Sequence, residues 1–296
     1  MTGSTVEPKS IRTRKQAGTG SEDPLASKDK QQDKQPDPTD SALFVGSTAK
    51  TFRVLHAFDG PIRHMTLADI AKAAQLDRSA TQRIVYTLET LGYLRRIAET
   101  KTYGLTPKLL QFSFNYVRAN ELIDKALPYL QDINRTVGET TNLQELDGHE
   151  IVFVARFLSR HLVNMDIAVG SRLPAFCTSS GTAILSRLPE DECDAILTAV
   201  ERVAITPYTE VHLGKLRRRI QQAAEKGYAI IANETVMGDI SVAAPILDHR
   251  GRPVAAINIS VPTSRWTPDK VESELAKHVQ VAATSVSKSK FTEYGR

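Results

Sequence analysis

Thr66-Leu-Ala-Asp-Ile-Ala-Lys-Ala-Ala-Gln-Leu-Asp-Arg-Ser-Ala-Thr-Gln-Arg-Ile-Val-Tyr-Thr-Leu-Glu-Thr-Leu-Gly92 is the stretch that decides how the first third of the chain folds. Thr66 followed three residues later by Asp69 is a capping-box pattern that starts a helix, with Leu67, Ile70, Ala71 and Ala74 as its apolar positions. Ala74-Gln-Leu-Asp77 reads as a turn, and Asp77 caps a second helix. Ala80, Ile84, Val85, Leu88 and Leu91 recur near the 3.6-residue period and form its inner face. Gly92 suits the left-handed residue that ends such a helix.

Upstream, Phe52, Val54, Leu55 and Phe58 form a further helical stripe that stops at Asp59-Gly60-Pro61. Downstream, Tyr93–Ile97 and Thr102–Thr106 read as two short strands around the polar tip Glu99-Thr100-Lys101. Three helices and a hairpin within about sixty residues are the plan of a winged helix-turn-helix. In that plan the first residues of the last helix face base edges in the major groove; here they are Arg78, Ser79, Thr81, Gln82 and Arg83. Arginine pairs with guanine and glutamine with adenine, while hydroxyls reach phosphate or base. Thr66 at the start of the preceding helix, and Arg95, Arg96 and Lys101 on the wing, complete the expected DNA-contacting set. Residues 45–107 carry nine Lys and Arg against five Asp and Glu, an excess of four that equals the formal net charge of the whole chain. A basic unit on an otherwise balanced chain points to a polyanion such as double-stranded DNA.

Residues 1–42 are polar, rich in Lys, Asp, Gln and Pro, and read as a disordered tail. Residues 108–121 read as a linker helix whose Phe112, Phe114 and Tyr116 suit a dimer contact. Residues 122–290 mix strands and helices in the order of an α+β domain with an antiparallel sheet. Strands are expected at Thr140–Leu146, Ile151–Phe157, Leu162–Ala168, Tyr228–Ala232, Ile240–Leu247 and Val254–Val261. Helices are expected at Leu122–Val137, Ser179–Ser186, Glu190–Val200, Val211–Lys226 and Pro268–Lys288.

Two distant blocks match one family. Thr66–Ile84 with Thr87-Leu-Glu-Thr-Leu-Gly-Tyr-Leu94 resembles the DNA-binding domain of IclR-type regulators. Gly170-Ser-Arg-Leu-Pro-Ala-Phe-Cys-Thr-Ser-Ser-Gly181, Gly227-Tyr-Ala229, Ala243-Ala-Pro-Ile246 and Ala255-Ala-Ile-Asn-Ile-Ser260 are similar to the effector domain. The resemblance covers roughly residues 45–288. It implies a GAF-like sheet in the effector domain, a homodimer or tetramer, and a palindromic operator. Leu173–Ser179 and Asn258-Ile-Ser260 are most similar to regulators of aromatic-acid and β-ketoadipate catabolism, which implies a small carboxylate as effector. The family's pocket positions correspond to Ser179, Ser180, Ser241, Asn258 and Ser260; Arg156 and Met165 are further candidates from neighbouring strands. Hydroxyls, an amide and a helix start can donate to a carboxylate without a full charge in the pocket. Members that bind small oxo-acids carry acidic residues where this chain has Ile231 and Ala232, so a more apolar pocket is expected here.

Other classes find little support. No Gly-x-Ser-x-Gly elbow, phosphate loop or His-Glu-x-x-His occurs, so an enzyme is not expected. Two cysteines, Cys177 and Cys193, and the scattered His161, His212 and His249 suggest no metal site and no cofactor. No apolar run approaches the length of a membrane span, and with no export signal a cytoplasmic protein is expected. A thiol-based redox sensor acting through Cys177 is the alternative to ligand sensing.

Overall fold

The structure, a computed structural model, describes residues 38–60, 62–160, 167–289 and 291. Most of the polar tail therefore lies outside the described residues; Pro38–Asp40 at its end form a single 3-10 turn. Helices α1 (Gly46–His56), α2 (Leu67–Ala73) and α3 (Arg78–Thr90) are followed by strands β1 (Leu94–Ile97) and β2 (Thr102–Leu105). Both caps form: Thr66 and Asp69 bond reciprocally, and the Asp77 carboxylate accepts the Ala80 N–H at 2.8 Å. Gly92 adopts φ +80°. Val54, Phe58, Met65, Ile70, Ala74, Val85, Leu88 and Leu94 make the core. Phe52 and Leu91, expected on the inner stripes, are exposed. Met65 takes up core space instead and exchanges backbone hydrogen bonds with Tyr103, so a third short segment joins the wing.

A short 3-10 turn leads into α4 (Leu110–Ala119), which buries none of its residues. Its Phe112, Phe114 and Tyr116 are 60%, 61% and 48% exposed. The ring of Phe112 stacks on Tyr93 of the winged unit at 5.9 Å. Asn120 ends α4 and caps α5 (Glu121–Val137) by accepting from the Leu122 and Ile123 N–H groups.

The remaining elements are β3 (Thr140–Asp147), β4 (Glu150–Phe157), β5 (Arg172–Pro174), α6 (Ser179–Leu185), α7 (Glu190–Thr198) and α8 (Leu213–Lys226). They continue with β6 (Ala229–Ala232), β7 (Asp239–Leu247), β8 (Pro253–Pro262), α9 (Pro268–Glu274) and α10 (Ala276–Lys288). The six strands form one antiparallel sheet in the order β5-β4-β3-β8-β7-β6. Leu143, Val242, Ile257 and Ile259 meet Ile123, Leu130, Val271 and Val279 from α5, α9 and α10 on one face. Ile151, Phe153, Ala243 and Ala256 meet Ile184, Leu197 and Leu216 from α6, α7 and α8 on the other.

Three expectations change. The edge strand β5 was not anticipated; it has three residues and ends in proline, too short for an alternation pattern. Of the strand expected at Leu162–Ala168, residues 162–166 lie outside the described residues, and Ile167 and Ala168 are not in a strand. The last helix breaks at the buried Leu275, so that α9 meets β6 and β7 while α10 lies on β7, β8 and α5. Among the described residues no helix is long and apolar enough to cross a membrane.

Candidate functional site

The first site is the outer face of α3. Arg78, Ser79, Gln82 and Arg83 are exposed, as the helical period requires. Tyr86, one turn beyond Gln82, continues the same stripe at 70% exposure and was missed because an aromatic residue reads as core. Thr81 must be corrected: it is fully buried, and its hydroxyl donates to the Asp77 carbonyl at 2.9 Å, so it faces away from any DNA on this surface. Thr66 is exposed, but its hydroxyl donates to the Asp69 carboxylate at 2.7 Å.

The turn between α2 and α3 turns on Gln75, which takes φ +53°, unusual for a residue with a side chain. Arg53 of α1 holds it. The guanidinium donates to the carbonyls of Ala74 and Gln75, the Nε bond to Ala74 being 2.9 Å. Nothing in local periodicity marks Arg53, because its partners lie more than twenty residues away. On the wing, Arg95 and Arg96 are both exposed, and as neighbours on β1 they point to opposite faces of the hairpin. Lys101 sits exposed at the tip with φ +55°.

The second site lies on the α6 side of the sheet. An inner cavity of about 20 Å³, room for little more than one water molecule, is lined by residues that include Asn142, Arg156, Ser179, Asp239, Asn258 and Ser260. An adjoining outer cavity of about 160 Å³ shares Arg156, Val236, Asp239 and Ser260 with it. Ser179, Ser241, Asn258, Ser260 and Arg156 from the expected set thus share one cavity wall. The Ser179 hydroxyl donates to that of Ser241 at 2.9 Å, and the Asn142 amide donates to the Asn258 carbonyl oxygen at 2.6 Å. Ser180 is not in that wall; it is fully buried, and its hydroxyl donates to Gln144. Met165 lies outside the described residues.

A β-bulge explains how Arg156 reaches the cavity. Asn142 pairs with Arg156 and Gln144 with Phe153, so three steps along β4 match two along β3. Strict alternation from Phe153 would send Arg156 to the α5 side. The extra residue, Val154, packs there together with Ala155 and returns Arg156 to the cavity side.

The cavity is more polar than Ile231 and Ala232 suggested. Neither residue lines it, and it contains two ionisable groups. Arg156 Nε and Nη1 are buried without a hydrogen-bond partner among the described residues. Burial lowers the guanidinium pKa, while the Asp239 carboxylate works against that shift. Burial also pushes the Asp239 carboxyl up to about 6, opposed by a hydrogen bond from Ser260 Oγ at 2.6 Å and by Arg156. The expectation of a pocket without full charges is therefore corrected. Asp239 escaped the sequence reading because its strand was expected to begin at Ile240; β7 in fact begins at Asp239, which two residues before Ser241 shares that residue's face.

Cys177 is fully buried and its thiol faces the Pro174 carbonyl at 3.6 Å. Burial, reinforced by the charge of Glu234, pushes its pKa up to about 12. A neutral buried thiol lacks the reactivity a redox sensor needs. Among the described residues no group of His, Cys, Asp and Glu side chains could hold a metal ion.

Comparison with known proteins matches both parts of the chain. Residues 47–98 match the model of the IclR helix-turn-helix domain, and residues 114–288 match that of the bacterial transcriptional regulator IclR C-terminal domain. The chain belongs to the IclR family. The Pca regulon regulatory protein of Pseudomonas putida is 33% identical over 230 residues, which are 77% of this chain and 78% of that protein. The crystal structure of Thermotoga maritima IclR superposes with a TM-score of 0.62 at 28% identity, covering 82% of this chain and 98% of that one. An IclR homologue of Microbacterium hydrocarbonoxydans, crystallised with 4-hydroxybenzoate, shares the fold: TM-score 0.67 at 24% identity, covering 81% of this chain and 97% of that one. As an IclR-family member the chain is a DNA-binding transcriptional regulator, not an enzyme, with a helix-turn-helix for DNA and a C-terminal domain for a small-molecule effector.

Proposed function

We propose that this regulator binds a palindromic operator as a homodimer or tetramer and responds to a small carboxylate held between Arg156 and Ser179, Ser241, Asn258 and Ser260. An aromatic acid or a metabolite of the β-ketoadipate pathway is the effector class. The observation that carries the carboxylate is that the buried nitrogens Nε and Nη1 of Arg156 have no hydrogen-bond partner among the described residues. Such donors cost free energy until an acceptor arrives, and a carboxylate supplies two oxygens in the geometry a guanidinium prefers. The similarity to the Pca regulon regulatory protein supports the pathway. DNA reading falls to Arg78, Ser79, Gln82 and Arg83, with Arg95, Arg96, Lys101 and Thr66 at its margins. The chain divides into a DNA-binding unit at residues 45–107, a linker at 108–121 and an effector-binding unit at 122–290, and the exposed aromatic side chains of α4 supply apolar area for pairing two copies.

Calorimetry of the full chain against protocatechuate, 4-hydroxybenzoate, β-ketoadipate, glyoxylate and pyruvate tests the effector. At least one of the first three binds, and Ser241→Ala weakens it by roughly 0.5–3 kcal/mol. Tight binding of glyoxylate with no response to the larger acids contradicts the class. Light scattering at micromolar concentration tests assembly: a monomer that protects a single half-site contradicts the symmetric reading.

A further inference from the structure

The placement of charge in the cavity distinguishes among carboxylates. Arg156 and Asp239 both line the inner and the outer cavity, yet they form no direct ion pair. Arg156 emerges from β4, at one side of the β3–β8 pair, and Asp239 opens β7 at the other. Between them lie uncharged Asn142, Asn258 and Ser260. The cavity therefore has a cationic end rich in unused donors and an end that only accepts. One Asp239 oxygen already takes the Ser260 hydroxyl at 2.6 Å. Arg265 and Glu139 also line the outer cavity, but Arg265 Nη2 donates to both Glu139 oxygens at 2.9 Å, so that pair is satisfied internally.

A ligand that satisfies both ends must carry an anion at one end and a hydrogen-bond donor at the other. A second carboxylate would meet Asp239 as a like charge in a poorly solvated space, where such pairs repel strongly. A hydroxyl would instead donate to it. Resting on the carboxylate reading above, we infer that Asp239 makes the cavity selective for hydroxylated monocarboxylates and excludes dicarboxylates. Arg156 takes the carboxylate and Asp239 accepts from the hydroxyl. At pH 8 this acid, whose pKa burial raises to about 6, is ionised and can only accept.

The test uses the full chain at pH 8 and reads dissociation constants by calorimetry for 3- and 4-hydroxybenzoate, benzoate and adipate. The better hydroxybenzoate binds at least about tenfold more tightly than benzoate, and adipate at least about tenfold more weakly than that hydroxybenzoate. In Asp239→Asn the preference for hydroxybenzoate over adipate shrinks about tenfold or more, mainly because adipate gains, while benzoate changes little. Asp239→Ser, which is smaller and also neutral, gives the same trend if the asparagine variant does not fold. Arg156→Met weakens every acid. Equal wild-type affinity for adipate and the hydroxybenzoates, or an unchanged ratio in both Asp239 variants, overturns the selectivity. In that case loss of binding in Arg156→Met leaves the carboxylate reading standing. Failure of all four acids to bind overturns the selectivity, while binding of protocatechuate or β-ketoadipate in the wider panel would still keep the carboxylate reading.

Discussion

Replacing Arg156 with methionine should make the ligand-free protein more stable and the regulator blind to its effector. Methionine keeps an unbranched stem against Phe153 while removing the charge and all five donors. The gain follows from the hydrogen-bond account. Two buried guanidinium nitrogens, Nε and Nη1, have no partner among the described residues, and each such unsatisfied group costs about 1–3 kcal/mol. Some of that cost is already offset. The guanidinium carbon lies 5.8 Å from the Phe153 ring centre, a contact worth about 0.5–1 kcal/mol. The Asp239 carboxylate also attracts the charge, and without Arg156 the pKa of this buried acid rises further. The balance is a stabilisation of roughly 1–3 kcal/mol. For binding, two charge-assisted bonds at about 1.5–3 kcal/mol each are lost, so affinity should fall by roughly two orders of magnitude or more. Trp266, the protein's single tryptophan, donates to Glu139 at 2.8 Å beside the outer cavity, so its fluorescence follows unfolding of the C-terminal part alone. In urea the midpoint should move up by about 0.5–1.5 M for a slope near 2 kcal/mol per molar. A lower midpoint together with unaltered hydroxybenzoate affinity would refute the assignment of Arg156 as a donor held in readiness.

Other expectations concern DNA, the turn and pH. Arg83→Ala should weaken specific operator binding by roughly 1–3 kcal/mol, whereas Arg96→Ala should weaken all sequences alike and lower the salt slope by about one; identical behaviour of the two in a salt series of retardation assays contradicts the division of roles. Arg53→Ala removes the donors that hold Ala74 and Gln75, and calorimetric unfolding should show the winged unit losing about 1–3 kcal/mol with Trp266 emission unaffected. Folding raises the Asp239 pKa from 3.8 to about 6, so the folded chain binds this proton more tightly than the unfolded one. Its contribution to stability is full below about pH 4 and is lost as pH rises through about 6. Urea unfolding of Asp239→Asn should therefore gain on wild type across that window, by roughly 1–3 kcal/mol in all; parallel pH profiles would contradict it.

The winged unit was legible because its signals are local. Thr66 and Asp69 are three residues apart, Asp77 caps its own helix, and the inner face of α3 follows one period. Thr81 was misread by the same locality: a polar type near a helix start suggested DNA, but its place one turn from Asp77 turns the hydroxyl inward. The cavity was half legible. Ser179, Ser241, Asn258 and Ser260 came from family resemblance, and the sheet does bring them to one wall. The orientation of Arg156 depends on the bulged pairing of β3 with β4, which no window of sequence contains, and Asp239 lay one residue before the expected start of its strand. Ser180 sits next to Ser179 in α6, and helical rotation places its hydroxyl behind the cavity wall, on the side chain of Gln144, which itself lines the cavity.

Val154 also bears on ancestry. A one-residue insertion in a regular strand would normally invert every side chain downstream of it, and the regulator would have lost its cation in a single mutational step. Here the surplus residue is absorbed where it stands, and the pairs on either side, Asn142 with Arg156 and Gln144 with Phe153, keep their places. Lineages that gain or lose one codon at this point can therefore inherit the same chemistry.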